Sequence, residues 1–84
     1  MVKVLYFARL REALGTGSEE LVLPASVSSL AGLRALLVSR GGAWSEELAA
    51  TRRVRAAVNQ TMADDHTLIS DGDEVAFFPP VTGG

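Results

Sequence analysis

Only one stretch of this 84-residue sequence is long enough, with apolar residues on one side, to form a main helix. It runs from Val27 to Arg40, after Ser26 as a suitable N-cap and before Gly41-Gly42 as a predicted left-handed C-cap. Four apolar residues at helical spacing form its predicted buried stripe: Val27, Leu30, Leu33 and Leu37. Arg34 is predicted to point outward. A chain with a single long helix must pack it against another layer, and the remaining apolar residues predict a sheet.

Four short segments alternate in the way that is typical of strands. They are Val2–Ala8, Glu19–Leu23, Val54–Asn59 and Asp73–Phe78. Two short helices are also predicted, one over Arg9–Leu14 and one capped by Ser45 with Trp44 packed beside it. The first and last strands are expected to be adjacent and parallel, because the chain between them supplies a long crossover. We therefore predict an α+β domain over residues 1–80, with a mixed sheet around one main helix, and a tail over residues 81–84.

Composition and charge argue against several classes of protein. The net charge is −2, whereas nucleic-acid binders normally carry a basic face. Cysteine is absent, which excludes disulfides, thiolate metal sites and a cysteine nucleophile. There is no run of about 18 apolar residues for a membrane helix, and the first residues lack the features of a signal peptide. We expect a cytoplasmic protein with no nucleic-acid or membrane partner.

Most enzyme motifs are missing from the sequence. His66 is the one histidine, and there is neither a nucleophile elbow nor a phosphate-binding glycine loop. Four acidic residues lie around His66: Asp64, Asp65, Asp71 and Asp73. They do not have the spacing of a calcium-binding loop, so we predict a solvated loop and no metal site.

The C-terminal segment is the first feature that suggests a specific function. Val81, Thr82, Gly83 and Gly84 follow Pro79-Pro80, which should end the last strand. Glycine has no Cβ, so its carbonyl carbon is unhindered and its backbone fits a narrow channel. Extended, the four residues span roughly 13 Å at about 3.3 Å per residue. Such a tail suits delivery of a carboxylate into another protein, although a frayed end is the alternative.

The second feature is the outer face of the predicted sheet. Strand alternation places one apolar set under the helix: Val2, Val4, Tyr6, Val75 and Phe77. It places a second apolar set on the opposite face: Leu5, Phe7, Ala57, Ala76 and Phe78. An exposed apolar patch of this kind indicates a partner surface. The alternative is that the short helix after Phe7 folds over part of it.

Three segments resemble a known family. Lys3–Glu12, Ala57–Thr61 and above all Asp71–Gly84 resemble the MoaD family, the small subunits of molybdopterin synthase. The resemblance runs from end to end and is weakest between Gly17 and Arg53. It implies a ubiquitin-like β-grasp fold and a chain that binds no cofactor of its own.

The resemblance also implies a function for the tail. Gly84 would carry sulfur as a thiocarboxylate, with Gly83, Thr82 and Val81 threading into the partner. A MoeB-like activating enzyme would adenylate the carboxylate with ATP, and a sulfur donor system would then replace AMP. A MoaE-like large subunit, present as a dimer with two small subunits, would pass the sulfur to cyclic pyranopterin monophosphate to form a dithiolene. The catalytic acids and bases would belong to the partners.

The resemblance assigns partner contacts as well. Phe7, Met62 and Phe78 match the apolar contact positions of the family. The predicted partner surface is completed by three neighbours: Leu5, Pro79 and Pro80. Three alternatives stay open on the sequence, namely a ThiS-type carrier for thiamine thiazole synthesis, a ubiquitin-like protein modifier, and an interaction module with an inert tail.

Overall fold

A five-stranded mixed sheet and three helices are formed by residues 1–80, which are the residues that the computed structural model describes. The elements are β1 (Val2–Tyr6), α1 (Ala8–Leu14), β2 (Ser18–Leu21), α2 (Leu30–Val38), α3 (Gly42–Leu48), β3 (Arg55–Val58), β4 (Thr61–Ala63) and β5 (Glu74–Phe78). The strand order is β2-β1-β5-β3-β4. β1 and β5 are parallel neighbours, as predicted, and the other pairs are antiparallel.

The inner face of the sheet packs against α2. In register, Val4 lies beside Val75 and Tyr6 beside Phe77, and β3 adds Ala56 and Val58 on the same face. All of these side chains are buried, in one cluster with three leucines of α2: Leu30, Leu33 and Leu37. The strand residues that the alternation placed under the helix are all buried, whereas Val27 of the predicted helical stripe is only half-buried.

The main helix begins later than predicted. α2 starts at Leu30, and its N-cap is Ser29, whose hydroxyl accepts a hydrogen bond from Gly32 N at 3.2 Å. The expected start at Val27 with Ser26 as cap is wrong, because this segment bonds to a distant loop instead. Ile69 N donates to Ser28 O, and Leu30 N donates to Thr67 O. Ser29 is extended, a conformation that does not belong to a helix interior.

The junction between α2 and α3 also differs from the prediction. α2 ends at Val38 with Ser39 as its C-cap in right-handed geometry, not at Arg40 with a glycine cap. Gly41 and Gly42 do have positive φ angles of 78° and 56°, but Gly41 is the N-cap of α3. α3 therefore starts before Ser45, which lies inside the helix rather than capping it.

Arg34 was predicted to point into solvent, and this prediction is wrong. Its Nε donates to Leu48 O at 2.6 Å, and its Nη2 donates to Ala49 O at 2.6 Å and to Arg52 O at 3.0 Å. The carbonyls at the end of α3 and in the following loop have no helical partner, and a guanidinium satisfies three of them at once. Arg34 thus fixes the loop between α3 and β3.

Strand β4 was not predicted from the sequence. It follows a two-residue turn in which Asn59 and Gln60 have φ angles of 50° and 69°. Two successive left-handed residues form the turn that matches the twist of a hairpin. β4 has only three residues, which leaves too short an alternation for sequence analysis to detect.

One end of the sheet is tied to the end of α2 by a polar and aromatic cluster. Tyr6 Oη donates to Glu19 Oε2 at 2.9 Å, and Arg40 binds both oxygens of Glu19 at 2.8 and 2.7 Å. Trp44 meets Tyr6 edge to face, 5.3 Å between ring centroids, and the Arg40 guanidinium lies 4.5 Å above the Trp44 ring. Trp44 was predicted to pack beside the second short helix; it lies inside that helix, α3, and packs against Tyr6 and Arg40.

Candidate functional site: an apolar sheet face beside the last described residues

The outer face of the sheet carries a continuous apolar row. The partners across β1, β5, β3 and β4 are, in order, Leu5, Ala76, Ala57 and Met62. The two alanines leave the middle of the row shallow, with larger side chains at both ends. The row contains no ionisable group, so its chemistry is that of binding rather than of acid or base catalysis.

Aromatic side chains stand at one end of this face. Phe7 follows β1, and its backbone N–H donates to Phe77 O at 3.1 Å, which keeps it next to the end of β5. Phe7 is 46% exposed and Met62 is 55% exposed, as a partner surface requires. Phe78 was expected to be exposed and is half-buried. Phe78 lies beside Arg55 of β3 in register, and its position within the sheet accounts for the lower exposure.

Helix α1 does not cover the outer face. Its Leu10 is fully buried in the same cluster as Val4 and Leu33, which belong to the inner side of the sheet. α1 also packs against α3, and Gly15 ends it with a left-handed φ of 74°. The alternative in which this helix folds over the apolar patch is therefore wrong.

At the end of the outer face that lies away from Phe78, a clamp of side-chain hydrogen bonds joins Asn59 to the start of β5. Asn59 Nδ2 donates to Asp73 Oδ1, and Asn59 Oδ1 accepts from Glu74 N, each at 3.0 Å. Asp73 also accepts from Ser70 N at 2.8 Å. The hydrogen bond from Asn59, more than the other contacts, lowers the pKa of Asp73. The clamp keeps the turn after β3 and the start of β5 in register.

Burial and charge shift the acid–base properties of the Tyr6 cluster. Burial, followed by its hydrogen bond to Glu19, raises the pKa of Tyr6 far above its usual range. The Arg40 hydrogen bond lowers the pKa of Glu19, against the opposing effect of burial. Tyr6 is therefore a neutral structural anchor at all physiological pH values, and it holds the chain from which Phe7 projects.

Pro79 and Pro80, the last described residues, line a basic cleft that sequence analysis missed. The cleft has a volume of about 450 Å³ and is also lined by Thr51 and three arginines: Arg9, Arg52 and Arg53. The adjacent Arg52-Arg53 pair was the sequence feature that could have indicated this basic cleft. The predicted tail residues Val81, Thr82, Gly83 and Gly84 lie outside the described residues.

The acidic side chains around His66 bind neighbouring groups of the protein. Within residues 1–80, no three His, Cys, Asp or Glu side chains are placed to hold a metal ion. Asp64 Oδ1 instead accepts from His66 N at 2.8 Å, and Asp71 pairs with the N-terminal ammonium. None of the helices in residues 1–80 has the length and apolar character to cross a membrane.

Comparisons with known proteins agree with the resemblance found in the sequence. Residues 4–84 match the ThiS family model. The chain is 46% identical to the molybdopterin synthase sulfur carrier subunit of Escherichia coli, over 100% of both chains. A chain of the complex of subunits 1 and 2 of the Helicobacter pylori molybdopterin-converting factor is similar with a TM-score of 0.67 and 25% identity. That match covers 99% of this chain and 97% of the other.

A second similar structure belongs to a protein that is named for a different role. The small archaeal modifier protein 1 of Methanosarcina acetivorans has a TM-score of 0.75 and 26% identity, covering 99% of this chain and 95% of its own. The shared architecture is the ubiquitin-like β-grasp, which confirms the predicted fold. The chain belongs to the ThiS family. Within it, the full-length similarity is to molybdopterin synthase sulfur carrier subunits, as the sequence predicted.

Proposed function

We propose that this chain is the sulfur-carrier subunit of a molybdopterin synthase. The observation that carries the proposal is the apolar row of Leu5, Ala76, Ala57 and Met62, which crosses four strands and which no helix of residues 1–80 covers. Ala76 of this row lies on β5, the strand that leads to Pro79-Pro80. A partner that covers this face would take up the segment that follows Pro80. The whole-chain similarity to molybdopterin synthase sulfur carrier subunits supports the proposal.

The proposed chemistry takes place at the carboxylate of Gly84. A carboxylate is a poor electrophile, and adenylation by ATP converts it into an acyl group with AMP as a good leaving group. Sulfur from a donor system then attacks the carbonyl carbon, AMP leaves, and a thiocarboxylate remains. Each thiocarboxylate would supply one sulfur to cyclic pyranopterin monophosphate, and water would return the carboxylate, so two such transfers would build the dithiolene. In this proposal the chain binds no cofactor, and ATP is used by the activating enzyme.

A large subunit and an activating enzyme are the proposed partners, and each has a separate role. A large subunit covers Phe7, Met62 and Phe78 and takes up Val81, Thr82, Gly83 and Gly84, with Pro79 and Pro80 at the entrance. The Helicobacter pylori complex of subunits 1 and 2 supports a large-subunit partner. A MoeB-like enzyme supplies adenylation, and the large subunit supplies the catalytic acids and bases. Cytoplasmic location stays a prediction from the sequence.

The position of Gly84 tests the proposal most directly. Deleting Gly84, or adding one residue after it, is expected to abolish molybdopterin formation by the reconstituted synthase without changing the melting temperature. The carbonyl carbon must reach a reacting distance of about 3–3.5 Å in the partner, where an ångström of misplacement is costly. Wild-type conversion by the extended chain, with trimming excluded by intact mass, would refute the carrier function.

A matched pair of substitutions at Gly83 tests the effect of tail width on conversion while the tail length stays the same. Gly83→Ala adds one methyl group, whereas Gly83→Val adds a β-branched side chain that stiffens and widens the tail. We expect conversion to fall much further for the valine variant. Equal conversion by the two variants would show that the tail does not thread a close-fitting channel.

A protein modifier is the second candidate, because the archaeal modifier protein has the same fold at a TM-score of 0.75. Both functions need an activated diglycine, so the products distinguish them. With activating enzyme, ATP and a sulfur donor, a carrier gains the mass difference between sulfur and oxygen. A modifier instead forms isopeptide-linked adducts on lysines of other proteins. Because Arg55 is the last trypsin site in this chain, tryptic mass spectrometry detects these adducts as lysines that carry residues 56–84.

A further inference from the structure

The basic cleft beside Pro79 and Pro80 concentrates positive charge on an acidic protein. Three of the eight lysine and arginine residues line it, from two separate parts of the chain: Arg9 from α1, and Arg52 and Arg53 from the loop before β3. The whole chain has a net charge of −2. The cleft is therefore a local positive region on a surface that is otherwise predominantly acidic.

The loop that supplies two of these arginines is held in place by the fold. Arg34 binds three carbonyls of residues 48–52, and Arg52 N donates to Ala49 O at 2.8 Å. Arg52 Nε also donates to Glu46 O at 3.0 Å. A charged site that is preorganised in this way loses little side-chain and loop entropy when a partner binds.

Glu47 holds two of the arginines without neutralising the cleft. Its carboxylate is 15% exposed and lies 3.6 Å from Arg9 Nη2 and 4.0 Å from Arg52 Nη2. Its Oε1 is buried and has no hydrogen-bond partner within residues 1–80. Arg53 forms no ion pair with any acidic side chain in that range. One carboxylate among three guanidinium groups leaves the cleft with a surplus of positive charge.

We propose that this cleft is a docking site for an acidic surface of the protein that covers the outer apolar face. The proposal rests on the proposed function and adds to it the charge of the partner around the tail entrance. The cleft is continuous with the apolar face through Phe78, Pro79 and Pro80, so a partner seated on that face reaches the arginines. An acidic partner surface is repelled by the net negative charge of the rest of this chain and attracted by this cleft, which orients the chain during encounter.

Association kinetics with the large subunit test the proposal. The rate constant is measured at about 0.1 M and about 1 M salt, where the Debye length is about 10 Å and about 3 Å. At low salt, we expect Arg53→Gln to slow association about threefold and the Arg9→Gln/Arg53→Gln double variant to slow it about tenfold. At high salt the variants should match the wild type, because the charges are screened.

Lys3→Gln is the matched control, since it removes the same charge at the other end of β1, beside Glu74 and away from Phe78. Its association rate is expected to stay within twofold of the wild type. The docking proposal fails if Arg53→Gln and Lys3→Gln are equal at low salt, or if the Arg53→Gln defect persists at high salt. If inorganic phosphate alone shifts the arginine side-chain NMR signals as strongly as the large subunit does, the cleft is a small-anion site and the proposal also fails.

Failure of this proposal is distinguishable from failure of the proposed function. Equal binding of all variants to the large subunit removes the acidic contact and leaves the sulfur-carrier function intact. Absence of any binding by the wild-type chain, at either salt concentration, overturns both. Thermal melts of each variant confirm that a kinetic defect comes from a folded protein.

Discussion

Both faces of the sheet carry apolar residues, but the two sets lie in different environments. On the inner face, Val4, Val75 and Phe77 are almost completely removed from solvent. On the outer face, Leu5, Ala76 and Phe78 occupy the neighbouring positions of the same strands and are only half-buried. The difference comes from α2, which covers one face and leaves the other without a cover in residues 1–80.

This contrast separates two reasons for having an apolar residue in a strand. An inner residue stabilises the fold by leaving water when the chain folds. An outer residue contributes much less to folding, and its remaining apolar surface is available to a partner. Substitutions on the two faces should therefore affect different measurements.

The largest expected effect comes from placing a lysine on each face in turn. Val75 and Ala76 are consecutive residues of β5 with opposite orientations. Val75→Lys buries an unpaired ammonium group at a cost of several kcal/mol, against a total of about 5–15 kcal/mol for a small domain. Circular dichroism should show a largely unfolded protein. Ala76→Lys should fold normally and lose large-subunit binding, and equally low melting temperatures would contradict the distinction between the faces.

Shortening a helix residue on the inner side should have the next largest effect. Leu33→Ala is expected to reduce the free energy of unfolding by about 2–5 kcal/mol, because a cavity remains under α2. Denaturant titration measures the loss. Met62→Ala is the control on the outer face, where we expect a loss of less than about 1 kcal/mol. A similar loss in both proteins would mean that the outer residue is part of the core.

On the outer face, Phe78→Ala should weaken binding of the large subunit by more than about 1 kcal/mol. Isothermal titration calorimetry measures this change, and a thermal melt checks that folding is nearly intact. Leu68→Ala is the matched control, because Leu68 is 76% exposed and lies outside the apolar row. Unchanged affinity of the Phe78 variant would remove Phe78 from the partner surface.

The smallest expected effect is on the pH dependence of stability at the edge of the inner face. The pKa of Glu19 is lowered in the folded protein, chiefly by the hydrogen bond from Arg40. Its stabilising contribution is therefore present above the ordinary glutamate pKa and is lost as the pH falls through the lower folded value. Glu19→Gln should cost about 1 kcal/mol or less at neutral pH.

The Glu19→Gln cost should shrink as the pH is lowered towards about 3 in paired denaturant titrations. Glu20→Gln, an exposed neighbour, is the control and should show little change. A Glu19→Gln cost that stays constant with pH would mean that the Arg40 pair contributes no net charge interaction.

Much of the fold and part of the candidate site could be predicted from the sequence. Alternation in Asp73–Phe78 assigned Val75 and Phe77 to the core and Ala76 and Phe78 to the opposite face, as the structure has them. The basic cleft could not be predicted, since Arg9 and Arg53 are far apart in sequence and meet only through packing. The roles of the partner-surface residues and of Gly84 stay predictions until the experiments above are made.

Local sequence was sufficient wherever a residue's neighbours along the chain decide its environment. Period-two and helical spacing determined which residues face the core, and Gly15 determined where α1 ends. Tertiary structure decided where local preferences compete with distant partners. Ser26 suits an N-cap, but the backbone of Ser28 and Ser29 pairs with residues 68–69, so Ser29 is the cap and α2 begins only at Leu30. Arg34 turns towards the end of α3 because three carbonyls there lack partners, a need that only the packed chain creates.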